Sequence, residues 1–229
     1  KVICLEASNR IGGRAYTDNN IFGEPYDVGA LWLDNGETNP FKIYGEKNTQ
    51  FNMYKERAEE MYAVYAGKKR TTKEEQLWKL FDSVEASIYK TRKDVAPIDV
   101  VPNQDDRWFD TVHTMIGQWE MGKDFSNYSC KDFNYDYEIP ESAPWHCEEG
   151  YGSLVSDMFK NIPVQLNTKV NKIDWSGAGV KVITDKGEIR ANKCIITVST
   201  GVLNSGQIKF SPNLSPDKQE SFSKISMGH

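Results

Sequence analysis

An acid, two adjacent glycines and an arginine lie close together near the start of the sequence, as Glu6, Gly12, Gly13 and Arg14. A carboxylate at the end of a strand accepts hydrogen bonds from ribose hydroxyls in nucleotide-binding folds. Two glycines allow the backbone to turn tightly and to approach a ligand, and a guanidinium carries a permanent charge suited to a pyrophosphate. The spacing therefore indicates the edge of a dinucleotide site, although an ordinary strand followed by a glycine turn has the same pattern.

Short apolar runs near the start of the sequence and in its last third predict β-strands. Residues 2–5 have the length and composition of a buried parallel strand, which ends at Glu6. A short helix is predicted at 153–160, and glycine-containing turns separate several of the runs that follow it. Helices combined with such strands indicate a mixed α/β (α+β) fold. The later strands are predicted at 164–166, 170–175, 180–184, 188–190 and 194–198.

The middle of the chain loses the strand pattern and is predicted to be mostly helical. Apolar side chains recur at helical spacing through residues 72–92, and Thr72 with Glu75 has the pattern of a capping box. A second helix is predicted at 107–121. The two helices are separated by a proline-containing linker at 96–106.

The net charge and the lengths of the apolar runs exclude some classes of binding partner. The 229 residues carry a net charge of −5, which argues against nucleic acid. No apolar run has the length of a membrane span and no signal peptide is visible. The sequence therefore predicts no membrane segment and leaves the compartment open.

The four cysteines do not have the spacing of a zinc site or of a disulfide framework. Cys4 and Cys194 lie in apolar runs and are predicted to be buried thiols. His146 and Cys147 are adjacent, but no further ligand lies at metal-binding spacing, so no metal site is predicted.

The first motif resembles the LEAxxRxGGR signature of the flavin-containing amine oxidases, which it matches at Glu6-Ala7, Arg10 and Gly12-Gly13-Arg14. That signature is specific for FAD and less specific for the substrate. Gly29-Ala30-Leu31-Trp32 is similar to the family's GAxW segment, which lines the flavin, and Val170 aligns with a residue whose backbone holds the adenine. The resemblance implies FAD contacts from Glu6, Ala7, Gly12, Gly13, Arg14, Ala30, Leu31, Trp32 and Val170.

Two acids are candidates for binding a small-molecule amine substrate. The resemblance places Asp34 at the mouth of the substrate channel, although Asp34-Asn35-Gly36 is an equally good solvated turn. Asp136-Tyr137-Glu138 is similar to the DYE segment of plant-type polyamine oxidases, where an acid lies in the substrate tunnel. If Asp34 and Glu138 converge, two carboxylates face a polycation, so both are predicted substrate contacts.

The resemblance also implies a discontinuous domain organisation. A partial Rossmann-like FAD-binding domain is expected at 1–40 and 147–205, and a mostly helical, incomplete substrate-binding domain at 41–146 and 206–229. The family's first strand with its GxGxxG loop, and the family's C-terminal half, have no counterpart in this sequence. The chain is therefore expected to be a fragment of a longer protein.

The implied activity is FAD-dependent oxidation of an amine, in particular a polyamine, with O₂ as the oxidant. A hydride passes from the carbon next to a neutral amine nitrogen to the flavin, the imine hydrolyses, and O₂ is reduced to peroxide. No catalytic residue is assigned, because the lysine that the family places near the flavin is expected outside this chain. Two alternatives stay open: another FAD oxidase with the GGR motif, acting on an amino acid, a porphyrin or an isoprenoid, and a non-catalytic fragment.

Overall fold

Short strands and helices alternate along the computed structural model, which describes residues 1–56, 65–66, 69–70, 74–136 and 144–228. The strands are β1 (Cys4–Leu5), β2 (Thr17–Asp18), β3 (Tyr26–Asp27), β4 (Met53–Lys55), β5 (Tyr65–Ala66), β6 (Lys69–Arg70), β7 (Trp145–Cys147), β8 (Val164–Gln165), β9 (Val170–Asp174), β10 (Val180–Thr184), β11 (Gly187–Ala191) and β12 (Lys209–Ser211). The α-helices are α1 (Pro40–Glu46), α2 (Glu74–Lys90), α3 (Phe109–His113), α4 (Cys130–Asp136), α5 (Tyr151–Met158), α6 (Thr200–Asn204) and α7 (Pro216–Lys224). A 3₁₀ turn lies at Pro97–Asp99 and a π-helix at Thr114–Met121. None of these helices is long and apolar enough to cross a lipid bilayer.

The chain divides into two compact units, each of which is described by itself. The first unit contains Lys1–Glu56 and Ser142–Ser226, and the second contains Arg57–Glu141 and Met227–His229. The predicted boundaries, at residues 40, 147 and 205, are those of functional domains and stay a prediction. The assignment of FAD binding to one part of the chain and substrate binding to the other stays a prediction.

The largest sheet of the first unit has the strand order β11–β10–β9–β12. Strands β9, β10 and β11 are antiparallel neighbours, and β12 runs parallel to β9. Val182 lies opposite both Ile173 and Ile189, so the three side chains share one face of the sheet. Ile173 and Val182 are buried. This register confirms the strands that the sequence predicts from residue 170 to residue 190.

A small apolar core joins the rest of the first unit. Leu33, Phe51, Cys147 and Leu154 are buried together. Strand β7 pairs with β4 and, through Trp145, makes a bridge to Leu33. These contacts bring the segment that follows β3 against the start of α5.

The second unit is built around the predicted helix at 72–92, which forms as α2. Thr72 of the predicted capping box lies outside the described residues, so only the body of the helix is confirmed. Its apolar face packs against α3 and α4. The buried residues of this core are Leu77, Leu80, Val84, Ile88, Val101, Trp108, Phe109, Val112, Ile116, Phe125, Cys130 and Phe133.

The predicted helix at 107–121 begins as an α-helix and continues as the π-helix. Val112 and Ile116 are buried as expected, whereas 61% of Trp119 is exposed. Hydrogen bonds from residue i to residue i+5 widen each turn, so Trp119 no longer shares the buried face. Gly122, at φ 65°, ends the π-helix in the left-handed region.

Two predictions about apolar runs are wrong. Residues 194–198 pair with no strand in the described part of the chain, and Ile195 is 88% exposed. Cys4 and Cys194 are both exposed rather than buried. An apolar run is buried only where another layer covers it, and the described residues leave Cys4, Cys194 and Ile195 accessible to solvent.

Candidate functional site

An open cleft of about 780 Å³ lies in the first unit, at the end of the Glu6–Arg14 motif. Its walls come from two stretches of chain that run side by side, one after β1 and one after β3. The cleft is lined by Arg10, Gly13, Arg14, Tyr16, Val28, Gly29 and Ala30.

The turn at Gly12 and Gly13 forms one wall of the cleft. Both residues have positive φ, at 100° and 55°, which an L side chain rarely adopts. The Ala15 amide donates to the Gly12 carbonyl at 2.9 Å and closes the turn. A Cβ on Gly12 would lie 2.5 Å from the Ala15 oxygen, so only glycine fits there.

The two arginines of the motif have different surroundings. The Arg10 guanidinium donates to the carbonyls of Gly13 at 2.9 Å and Ile11 at 3.3 Å, and lies 4.3 Å above the Tyr16 ring. Arg14 is exposed, and its guanidinium has no hydrogen-bond partner among the described residues. Arg10 therefore braces the turn, whereas Arg14 can bind an anion.

The opposite wall is the backbone from Val28 to Ala30. The Val28 and Ala30 amides donate to the carbonyls of Tyr16 and Arg14, at 2.9 and 3.0 Å. A Cβ on Gly29 would lie 1.9 Å from the Arg14 oxygen, so this close approach requires glycine.

The surface continues apolar beyond this wall. Leu31 and Trp32 are exposed, at 38% and 45%, whereas Leu33 is buried in the core. A flat ligand could therefore lie against this surface.

Glu6 lies outside the cleft lining, and its backbone pairs with the segment that precedes Val170. The Glu6 amide donates to Gln165, and the Glu6 carbonyl accepts from the Thr168 amide, at 2.9 and 2.8 Å. The Glu6 carboxylate accepts one bond, from the Ser8 amide at 2.7 Å. Val170 follows Thr168 by two residues at the start of β9. Ala7, on the same stretch as Glu6, is exposed.

Asp34 lies in the loop between the core residue Leu33 and α1. Burial raises the pKa of the Tyr151 hydroxyl, and the nearby negative charge of the Asp34 carboxylate raises it further. Asn39 holds the loop by donating from Nδ2 to the Asp34 carbonyl at 2.9 Å. Glu138 lies outside the described residues, so its convergence with Asp34 stays a prediction.

The Trp145 side chain fixes the far end of the same loop. A Cβ on Gly36 would lie 2.3 Å from Cδ1 of Trp145, which shows how closely the ring packs on the backbone. The buried Lys42 places its ammonium 4.1 Å above the Trp145 ring and 2.6 Å from Glu46. The Asp34 loop is thus held from both sides.

His146 and Cys147 are buried beside this loop in β7. Burial raises the pKa of Cys147 to about 12, so its thiol stays protonated. The thiol lies 3.6 Å from a Glu149 carboxylate oxygen, to which it donates. Among the described residues, no group of three His, Cys, Asp or Glu side chains could hold a metal ion.

Asp27 and Thr17 are site residues that the sequence analysis missed. Their side chains bind the first backbone amides of α5, which has Gly150 rather than a capping side chain before it. The absence of a Ser, Thr, Asp or Asn at that position was the available signal, because an uncapped helix start needs a partner elsewhere.

The sequence is similar to known proteins over its whole length. The family described as flavin containing amine oxidoreductase matches residues 1–103 and 104–229. Polyamine oxidase 2 of Arabidopsis thaliana is 28% identical over all of this chain and 52% of its own length. Lysine-specific histone demethylase 2 of Homo sapiens is 24% identical, also over all of this chain, and over 30% of its own length. The chain spans about half the length of the polyamine oxidases that it matches.

A solved structure shows the same fold. A putrescine oxidase redesigned at its cofactor site superposes with a TM-score of 0.64 at 17% identity, over 96% of this chain and 56% of the oxidase. This likeness is to a mixed helix-and-strand flavoprotein, in agreement with the α/β class expected from the sequence. The match of the family over both halves of the sequence shows that the chain belongs to the flavin-containing amine oxidoreductases, whose cofactor is FAD.

Proposed function

We propose that this chain contributes the FAD cleft of an amine oxidase that acts on polyamines. The observation that carries the proposal is the 780 Å³ cleft, in which Arg10 and Arg14 share one open surface with the Gly29-Ala30 backbone. A dinucleotide needs positive charge for its pyrophosphate and close backbone approach for its ring systems. The residues present therefore fit FAD.

The proposal gives each predicted cofactor contact a role, including those that lie outside the cleft lining. Arg14 and the turn at Gly12 and Gly13 would hold the pyrophosphate. One carboxylate oxygen of Glu6 accepts from the Ser8 amide, and the other would accept hydrogen bonds from the ribose hydroxyls. A Rossmann-like arrangement around β1 and β8 is part of the proposal. The remaining contacts are proposed for Ala7, Ala30, Leu31, Trp32 and Val170.

The substrate side of the proposal depends on Asp34. The chemistry that FAD supplies when bound is acceptance of a hydride from the carbon beside a neutral amine nitrogen, followed by electron transfer to O₂. A carboxylate near an aromatic ring attracts an ammonium group, so Asp34 with Tyr151 would hold one end of the amine. Glu138 is proposed to hold a distal ammonium of a polyamine. The names of the similar polyamine and putrescine oxidases support this class of substrate.

The test is a flavin titration followed by reduction with a polyamine. FAD is added to the purified protein and its fluorescence is followed. Spermine is then added without O₂, and we expect the flavin absorbance to bleach. Protein that takes up no FAD would contradict the cofactor assignment, and bound flavin that an amino acid bleaches but spermine does not would contradict the substrate class.

A matched pair of variants tests the role of Asp34. Asp34→Asn should raise KM for spermine about threefold, as expected for the loss of one exposed ammonium contact, with little change in kcat. Glu37→Gln removes the same charge three residues away in the same exposed loop and should leave KM unchanged. Equal effects of the two substitutions would remove Asp34 from the substrate site.

A further inference from the structure

Helix α5 begins against side chains from the β2–β3 hairpin rather than against its own preceding residues. Asp27 Oδ2 accepts from the Tyr151 amide at 2.8 Å, and Asp27 Oδ1 accepts from the Gly152 amide at 3.3 Å. The Thr17 hydroxyl donates to Asp27 Oδ1 at 2.5 Å and accepts from the Ser153 amide at 3.0 Å. Three of the amides that a helix start leaves without partners are thus satisfied from one place.

Asp27 and Thr17 are also the direct sequence neighbours of residues that line the cleft. Asp27 is followed directly by Val28, Gly29 and Ala30, and it pairs with Thr17 across the hairpin. The Ala30 amide is held by the Arg14 carbonyl, three residues before Thr17. A movement of Asp27 away from α5 would therefore also displace Val28, Gly29 and Ala30, which line the cleft.

Steric contact adds to these hydrogen bonds. A Cβ on Gly152 would lie 2.4 Å from the Thr17 nitrogen and 2.7 Å from the Tyr16 carbonyl carbon. The first turn of α5 therefore lies directly on the backbone of β2. Contact and hydrogen bonding together hold the hairpin and the helix in one arrangement.

The negative charge of Asp27 also affects where an anionic ligand can bind. The Asp27 carboxylate occupies the positive end of α5, where a ligand phosphate could otherwise bind. The positive charge on the cleft surface then comes from Arg10 and Arg14.

We propose that Asp27 and Thr17 are positioning residues of the cofactor cleft, which anchor the Gly29-Ala30 wall to α5 and direct the pyrophosphate of the cofactor towards Arg14. The role of the cofactor in this proposal rests on the proposed function. The anchoring itself is a property of this chain without ligand.

The test uses isosteric variants and two measurements. Asp27→Asn and Thr17→Val remove the charge and the hydroxyl with little change in shape, and Thr17→Ser keeps the hydroxyl. Tyr44→Phe is the control, because it removes a 2.6 Å bond to Asp157 that joins α1 to α5 away from the cleft. The measurements are amide hydrogen exchange in protein without FAD, and the dissociation constant for FAD.

The expected results separate positioning from general stability. Asp27→Asn and Thr17→Val should speed exchange of the Val28 and Ala30 amides about tenfold and weaken FAD binding about tenfold, as the loss of a helix cap suggests. Thr17→Ser should match the wild type in both measurements. Tyr44→Phe should lower the melting temperature without changing either.

Each failure has a distinct meaning. Unchanged exchange at Val28 and Ala30 in Asp27→Asn and Thr17→Val, or an equal increase in Tyr44→Phe, would overturn the anchoring. Faster exchange with unchanged FAD affinity would overturn the role in cofactor binding. Wild-type protein that binds no FAD would contradict the proposed function, while the exchange measurements would still decide the anchoring.

Discussion

Arg10 and Arg14 carry the same charge four residues apart, but the Arg10 guanidinium is partly used in the turn, whereas Arg14 has no hydrogen-bond partner among the described residues. The Arg10 guanidinium donates two hydrogen bonds to carbonyls of its own turn. Both types of residue are visible in the sequence, whereas the division of their roles depends on where Tyr16 places its ring. A motif shows which chemistry is available, and the local packing decides which side chain is used for it.

Arg14→Gln should raise the dissociation constant for FAD about tenfold at low salt, because one charge-assisted contact to phosphate is lost. It should also make FAD binding less sensitive to added salt, since an exposed charge pair is screened. The measurement is a fluorescence titration of FAD at two salt concentrations.

Arg190→Gln is the control for this variant. Arg190 pairs with Glu188 at 2.7 Å on β11 and is not part of the cleft lining. It should leave both affinity and salt dependence unchanged. An Arg14→Gln protein that behaves like Arg190→Gln would place the pyrophosphate elsewhere.

Asp157 gives a prediction about pH. Hydrogen bonds from Lys160, Tyr44 and Gln50 lower the pKa of Asp157 to about 2, from a model-compound value of 3.8. The unfolded chain therefore binds this proton more readily than the folded chain, so the carboxylate stabilises the fold above about pH 4 and ceases to do so as the pH falls towards 2.

The measurement is the urea midpoint of the wild type and of Asp157→Asn between pH 7 and pH 3. The variant should be less stable at pH 7, and the gap should narrow at pH 3. Asp105→Asn, at an exposed loop position, is the control and should run parallel to the wild type. A gap that stays constant with pH would contradict the assignment to Asp157.

At the scale of elements, the start of α5 is a place where replacing a helical glycine by alanine should destabilise the protein rather than stabilise it. Alanine favours a helix over glycine by about 1 kcal/mol. At Gly152, however, a Cβ would meet the backbone of Tyr16 and Thr17, and such overpacking costs about 1–3 kcal/mol. Gly152→Ala should therefore lower the free energy of unfolding, by up to about 2 kcal/mol after the helix propensity of alanine is subtracted.

Chemical denaturation measures this loss, with Ser156→Ala in the same helix as the control. Ser156 is only partly buried and should accept alanine without a loss of stability. A Gly152→Ala protein as stable as Ser156→Ala would mean that α5 can move away from β2.

The elements differ in how far the sequence predicts them, and the difference follows from where their partners lie. Helix α2 is predicted well because its apolar period is covered by α3 and α4 of the same unit. The cap of α5 is missed because Asp27 is 124 residues away from Tyr151 in sequence. The π-helix is missed because its apolar positions also fit an α-helix. The strand at 194–198 is predicted wrongly because a run of apolar side chains does not show whether another layer covers it.

At the scale of the whole molecule, the four thiols report on the two units separately. Cys147 is buried in the first unit and Cys130 in the second, and burial raises the pKa of both. Cys4 and Cys194 are exposed. A thiol reagent should therefore modify Cys4 and Cys194 in the folded protein, Cys194 more slowly because partial desolvation raises the pKa of its thiol, and the other two cysteines only on unfolding.

Mass spectrometry of labelled peptides across a urea series measures this pattern. The urea concentration at which Cys130 becomes labelled gives the unfolding of the second unit, and that of Cys147 gives the first. Fast labelling of Cys130 or Cys147 without urea would contradict the packing of its core.

The exposed apolar run at 194–198 affects how the protein must be handled. Because Ile195 is almost fully accessible and Ile196 and Val198 are exposed beside it, we expect the protein to adsorb to hydrophobic resins and to self-associate as its concentration rises. We also expect dyes that fluoresce on leaving water to bind the folded protein, so that a dye-based melting curve begins from a high signal. Calorimetry or tryptophan emission in dilute solution is therefore the better choice for comparing the stabilities of its variants.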